Sequence, residues 1–189
     1  MELTPLGIEG AWLAESEVWP DSRGHLREWF KHEDIFKKTG INFGAQQANL
    51  SISKKGVIRG IHFSFASEGQ SKLVTCVSGS ILDVIVDVRP TSKTFGKHLS
   101  VELKAQDGRS ILIQHGLGHG FISMEDDSAV AYLLSSAFDP KHEAGISPFD
   151  PDLKIDWQIE RLAGTEVALS QKDLTAPSLQ DHLASKHRN

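Results

Sequence analysis

Two histidines stand apart from the other seven in this 189-residue chain. His62 lies in Gly56-Val57-Ile58-Arg59-Gly60-Ile61-His62-Phe63, a run otherwise rich in apolar residues. His119 lies in the glycine-dense segment His115-Gly116-Leu117-Gly118-His119-Gly120-Phe121. The rest of those singled out, such as His25, His32, His98, His142, His182 and His187, sit in polar or terminal surroundings that suit solvated or structural roles. For His62 and His119, spacing alone favours a core imidazole satisfied by hydrogen bonds and leaves catalysis open. Lys72, Asp83 and Tyr132, the chain's one tyrosine, complete the residues with chemical potential.

A metal is not what these residues suggest. A two-histidine barrel site normally carries His-x-His on one strand, but Phe63 and Ser64 follow His62, and Glu68 stands in a turn-like polar stretch. One cysteine and no close histidine pair on a helix argue against zinc. No Gly-x-Ser-x-Gly elbow, phosphate loop or dinucleotide loop is present. Cys76, between Thr75 and Val77, reads as a buried, inert thiol. The set His, Lys, Tyr and Asp instead suits removal and return of a proton next to a carbonyl. Histidine is a base near neutral pH. Lys72 suits the oxygen on which negative charge develops. Tyr132 suits an acid on the opposite face of the carbon, and an aspartate on the histidine's other nitrogen would fix its tautomer.

The elements that must position these groups read mainly as strands. Val57–Phe63, Leu73–Val77, Ile81–Val88, Leu99–Leu103, Ser110–Ile113 and Ala129–Leu134 are short β-rich runs, separated by turn signals such as Ser67-Glu68-Gly69, Ser78-Gly79-Ser80 and Asp107-Gly108. Their spacing predicts an antiparallel sandwich or barrel without helical crossovers. His32–Lys38 and a segment beginning near Pro177, with Leu179 and Leu183 on one side, predict short peripheral helices. Alternation puts Ile81, Asp83, Ile85 and Asp87 on one face, where a buried carboxylate needs a partner. It also puts Lys72 with Val74 and Cys76, and Tyr132 with Val130 and Leu134.

Length and the lack of repeats or linkers predict one domain over residues 1–189. The formal charge of −5 excludes a broad nucleic-acid surface but leaves room for a few arginines around a small anion. No apolar run is long enough to span a bilayer and Met1–Pro5 does not read as a secretory signal, so a cytoplasmic location is expected.

These residues also fall into an ordered set of motifs. Asp21-Ser22-Arg23-Gly24, Gln47-Ala48-Asn49-Leu50-Ser51 and Gly56-Val57-Ile58-Arg59-Gly60-Ile61-His62-Phe63 come first. Lys72–Gly79, Leu82–Arg89, Ser92–Gly96, Gly116–Phe121, Asp150–Leu153 and Ser170-Gln171-Lys172-Asp173 follow. From about residue 3 to residue 180 the chain resembles the dTDP-4-dehydrorhamnose 3,5-epimerases, cupin-type sugar-nucleotide enzymes.

The resemblance implies an all-β, antiparallel cupin or jelly-roll barrel with short peripheral helices and no cofactor. It implies His62 as base, Asp173 as its dyad partner, Tyr132 as opposing acid and Lys72 at the C4 oxygen. Asp83 and His119 become supporting polar residues. Arg23 and Arg59 become the pair holding the diphosphate, a task that suits forked cations. Gln47, Asn49 and Glu28 become nucleotide- and sugar-binding positions. Homodimers, with the N-terminal segment completing the partner's site, are also implied.

Three places depart from the family pattern: His25-Leu26 stand where two aromatics are common, Phe138 stands where tyrosine is common, and Ser147-Pro148-Phe149 replaces a segment with Trp-Asn. They bear on nucleotide preference and on whether C3 alone or both C3 and C5 invert. A C3-only epimerase, a 3,4-ketoisomerase and a non-catalytic sugar-nucleotide-binding cupin are the competing readings. Arg59 and His62 raise a further geometric demand. Three apart, they point to opposite faces of a regular strand, so a bulge at Gly60 is expected to bring both into one pocket.

Overall fold

A computed structural model describes residues 1–67 and 69–186, so Glu68 and His187 lie outside the described residues. The chain opens with β1 (Glu2–Pro5), β2 (Ala11–Glu15), β3 (Val18–Asp21), β4 (Gly24–Arg27), helix α1 (His32–Thr39) and β5 (Gln47–Ser53). The central strands are β6 (Ile58–Ser64), β7 (Lys72–Ser78), β8 (Ser80–Asp87), β9 (His98–Lys104) and β10 (Arg109–Ile113). Then come β11 (Leu117–Ser123), β12 (Ser128–Leu134), β13 (Glu143–Gly145), α2 (Gln171–Leu174) and α3 (Leu179–Lys186).

Two antiparallel sheets carry the fold. One has the order β1-β2-β10-β7-β12-β5 and the other β13-β6-β11-β8-β9, while β3 and β4 form a separate hairpin. The sheets face each other as a cupin-type jelly roll, as expected, with the helices at the edges. Alternating side chains of both sheets fill the space between them. Ile81 and Ile85 of β8 meet Val74, Cys76, Ile111 and Val130 of the opposing sheet. The other face of β8, carrying Leu82, Val84 and Val86, packs under Trp157, Leu162 and Leu179. Every residue of β8 is buried, which fits an apolar run interrupted only by Ser80 and by the carboxylates Asp83 and Asp87, each of which has a hydrogen-bond partner. The Cys76 thiol is buried as expected, and burial pushes it up to about 11.

The six strand runs read from the sequence lie where alternation put them, with ends moved by a residue or so. Helix α1 begins at His32 as expected and stops at Gly40, which is left-handed at φ 74° and donates its N–H to the Phe36 carbonyl. Helix α3 begins later than expected. Ser178, rather than the proline before it, provides the cap by accepting the Asp181 N–H at 3.0 Å. Asp87 shares its face with Asp83 but has a structural partnership. Burial would raise its pKa, and hydrogen bonds from Arg89, Ser92 and Thr94 outweigh that and hold it at about 2.

Candidate active site

A cavity of about 480 Å³ opens between the sheets. Its polar wall holds Arg59, His62, Lys72, His119, Tyr132 and Asp173. Val57, Ile58, Phe121 and Leu169 supply apolar surface. Six sequence candidates therefore converge on one space.

The parity problem of β6 is resolved by a bulge. Phe121 pairs with Arg59 and His119 with His62, so three steps along β6 match two along β11. Gly60 sits in the extra position at φ +111°. A Cβ there would lie 2.6 Å from the Gly120 Cα and the His119 carbonyl, so only glycine fits. Arg59 and His62 consequently line the same cavity.

His62 Nε2 donates to Asp173 Oδ1 at 2.6 Å. An ionised carboxylate only accepts, so the proton belongs on Nε2 and Nδ1 keeps its lone pair. Burial lowers the His62 pKa, and the Asp173 hydrogen bond and charge pull only partly the other way. The imidazole is therefore neutral near pH 7 and competent as a base.

Lys72, at the start of β7, is buried to 8% exposure. Its ammonium donates to the His62 carbonyl at 3.4 Å. Burial lowers its pKa, while the charges of Glu143 and Asp83 support the cation. Asp83, on β8, is fully buried and accepts from His119 Nε2 at 2.8 Å. Its other oxygen has no hydrogen-bond partner among the described residues. The expected partner of the buried Asp83 is thus His119, and a second imidazole–carboxylate pair flanks the cavity.

Tyr132 reaches the cavity from β12, paired across the sheet with Val74 and Asn49. It belongs to the six-stranded sheet, whereas His62 belongs to the five-stranded one. Imidazole and phenol therefore enter from opposing walls.

The remaining candidates divide into two groups. Gln47 and Asn49 lie on the β5 face that continues through Ser51 into the cavity wall. Gln47 Nε2 donates to Asn49 Oδ1 at 3.0 Å, and the Phe138 N–H donates to Gln47 Oε1 at 2.8 Å, which ties an exposed aromatic to this ledge. Arg23 and Glu28 are not brought to the cavity of their own chain. Arg23 is exposed on the β3–β4 hairpin, ion-paired with Asp21 at 2.6 Å, and Glu28 is exposed just beyond β4. Ser51 and Ser170, present in the motifs but given no role from sequence, also line the cavity, and Glu143 acts on Lys72. Face parity with Asn49 could have found Ser51. Glu143, half-buried and with one oxygen lacking a hydrogen-bond partner among the described residues, had no local signal.

Comparison with known proteins decides the family. The dTDP-4-dehydrorhamnose 3,5-epimerase family model matches residues 5–181. The chain belongs to that family. It is an isomerase of the epimerase type. The dTDP-4-dehydrorhamnose 3,5-epimerase of Mycobacterium tuberculosis is 41% identical over 185 residues, covering 98% of this chain and 91% of the relative. The solved Mycobacterium tuberculosis rmlC epimerase superposes with a TM-score of 0.94, covering 98% of this chain and 92% of that one. ChmJ, a 3'-monoepimerase from Streptomyces bikiniensis solved with dTDP-quinovose, is 40% identical with a TM-score of 0.89, covering 95% and 90%. Double and single epimerases thus resemble this epimerase about equally, so overall similarity does not rank the two outcomes.

Proposed function

We propose that this epimerase inverts C3 and C5 of dTDP-4-dehydro-6-deoxy-D-glucose to give dTDP-4-dehydro-L-rhamnose, by acid/base proton transfer without a metal. The observation that carries the proposal is the placement of His62, held by Asp173, and Tyr132 on opposing walls of one cavity. The C4 ketone acidifies the protons on its two neighbouring carbons. Neutral His62 takes one of them through Nδ1. The electron pair moves onto the C4 oxygen, where Lys72, with His119 beside it, stabilises the charge in a partly enclosed cavity. Tyr132 then returns a proton to the other face, and the carbon is inverted. Both imidazoles commit Nε2 to a carboxylate, an arrangement that fits bases and donors fixed in one tautomer.

Arg59 stands at the cavity as a cation for the diphosphate. The ledge of Gln47, Asn49 and Phe138 suits the nucleoside. Arg23 and Glu28 complete the site from a second copy of the chain. The hairpin that carries Arg23 forms its own two-stranded sheet, anchored at its base where Arg27 donates to Thr75 and to the Cys76 carbonyl of β7, and it exposes Trp19 and Leu26. Beside the cavity, edge strand β5 turns Leu50 and Ile52 outward, apolar surface suited to a homodimer. The whole chain then acts as one domain. A nucleotide-sugar substrate and a lone thiol fit the cytoplasm.

Mass spectrometry of product formed in D2O tests the reaction. Two deuteriums per product are expected. One would favour the C3-only reading, which the likeness to ChmJ keeps in view. Binding without exchange would leave a sugar-nucleotide-binding cupin, and a 3-keto product in the NMR spectrum would indicate a ketoisomerase.

A further inference from the structure

Asp173 meets His62 from an unusually weak support. Helix α2 has four residues, and a single turn has little stability of its own. Asp173 is the only buried residue in it; Gln171, Lys172 and Leu174 are exposed. Apolar packing therefore does not hold the helix, and its hydrogen bonds must.

Those bonds converge on Ser170. Its hydroxyl oxygen accepts the Asp173 N–H at 3.1 Å, and its carbonyl accepts the Leu174 N–H at 2.9 Å. Two residues upstream, the chain is pinned to the start of the His62 strand. Val57 and Ala168 form a parallel bridge, the Ile58 N–H donates to the Ala168 carbonyl at 2.9 Å, and the Ala168 N–H donates to the Gly56 carbonyl at 3.1 Å. Ser170 is thus the joint between a segment fixed to β6 and the turn that carries the carboxylate. It also lines the cavity.

We propose that Ser170 is a positioning residue, its hydroxyl fixing α2 so that Asp173 stays at hydrogen-bond distance from His62. The inference rests on the proposed role of His62 as base. Without the cap, Asp173 spends less time on the imidazole, and His62 loses both its orientation and the support of a carboxylate. The groups facing His62 are Asp173 and Lys172 from α2, Lys72 from β7, His119 from β11, Tyr132 from β12 and Arg59 on its own strand, with Glu143 of β13 and Asp83 of β8 near Lys72. Removing the Ser170 hydroxyl loosens α2 and so affects both Asp173 and Lys172; the hydrogen bond and charge of Asp173 act on His62 more strongly than the Lys172 charge, so the His62 pKa falls further.

The test uses full-length wild type, Ser170→Ala, Ser170→Thr and Asp173→Asn. Two readouts are needed: turnover of dTDP-4-keto-6-deoxyglucose across pH, and NMR titration of the His62 imidazole without substrate. Ser170→Ala should lower kcat by about 2- to 30-fold, the range that follows from losing a cap. KM should change little and the His62 titration should move to lower pH, with circular dichroism and melting temperature near wild type. Ser170→Thr, which can still cap, should recover most of the turnover and the titration. Equal kcat and equal His62 titration in Ser170→Ala and wild type would overturn the inference, as would a threonine variant no better than alanine. If wild type exchanges no substrate hydrogen while the Ser170→Ala titration still moves, the epimerase reading fails and the positioning contact stands.

Discussion

At the scale of single residues, the proposed chemistry depends on an imidazole that is neutral when substrate arrives. Burial lowers the His62 pKa below its ordinary value of 6.5, so protonation removes the base only at lower pH. The acid limb of kcat/KM is accordingly expected below pH 6.5. Lys72 has the opposite requirement. In the proposed mechanism it stays protonated at the C4 oxygen, and burial lowers it from 10.5, so an alkaline limb below pH 10.5 is expected. Lys72→Met should flatten that limb and reduce kcat by about 10²–10³-fold. A pH–rate profile of both proteins checks this; an acid limb above 6.5 would argue that His62 is not the free base. Individual residues were only partly legible in the sequence. His62, Lys72, Asp83 and Tyr132 could be picked out by type and by face parity. Asp173 could not, because it lies 111 positions from His62 and its helix has no periodic pattern. Only the family motif pointed to it.

At the scale of elements, the site depends on the bulge in β6. Gly60→Ala would force an L side chain into φ +111° and push its Cβ against the backbone of β11. The backbone strain alone costs about 1–3 kcal/mol. Thermal denaturation should show a loss of at least that size, and surviving protein should lose turnover because Arg59 and His62 no longer share a cavity. Wild-type stability and turnover in this variant would remove the bulge from the account. Strands were the most legible elements because alternation records a buried face directly. Strand β11 was the exception. Gly118 and Gly120 kept its segment out of the β-rich runs, yet Ile61 of β6 packs so closely that a Cβ on either would fall 2.7 Å from its side chain. Close approach between strands selects residues that strand propensity disfavors. Strands β1, β3 and β4 were missed for a different reason: each has four residues, nearly all exposed, so no alternation marks them.

At the scale of the whole molecule, Arg23 lies outside the cavity of its own chain, and the proposed dimer supplies it in trans. Complementation follows from that geometry. Arg23→Ala and His62→Ala should each be nearly inactive alone. Mixed and allowed to exchange subunits, they should regain activity, because each heterodimer contains one site with both residues intact. No recovery, with heterodimers demonstrated by mass spectrometry, would place Arg23 in its own subunit's site or outside the site altogether. Charge and composition argued against nucleic-acid surfaces but carried no sign of the proposed sharing between copies, which came only from the family resemblance.

In the proposed reaction, proton removal by His62 and proton return by Tyr132 occur on opposite faces of one carbon. Tyr132→Phe in D2O, followed by NMR of the remaining substrate and the product, tests it most directly. The phenol is lost while His62 still opens the C–H bond and can return solvent deuterium to the same face. Substrate of unchanged configuration should therefore gain deuterium while inverted product falls by about 10²-fold or more. Loss of deuterium exchange and inversion in equal measure, or full inversion without the phenol, would contradict the account.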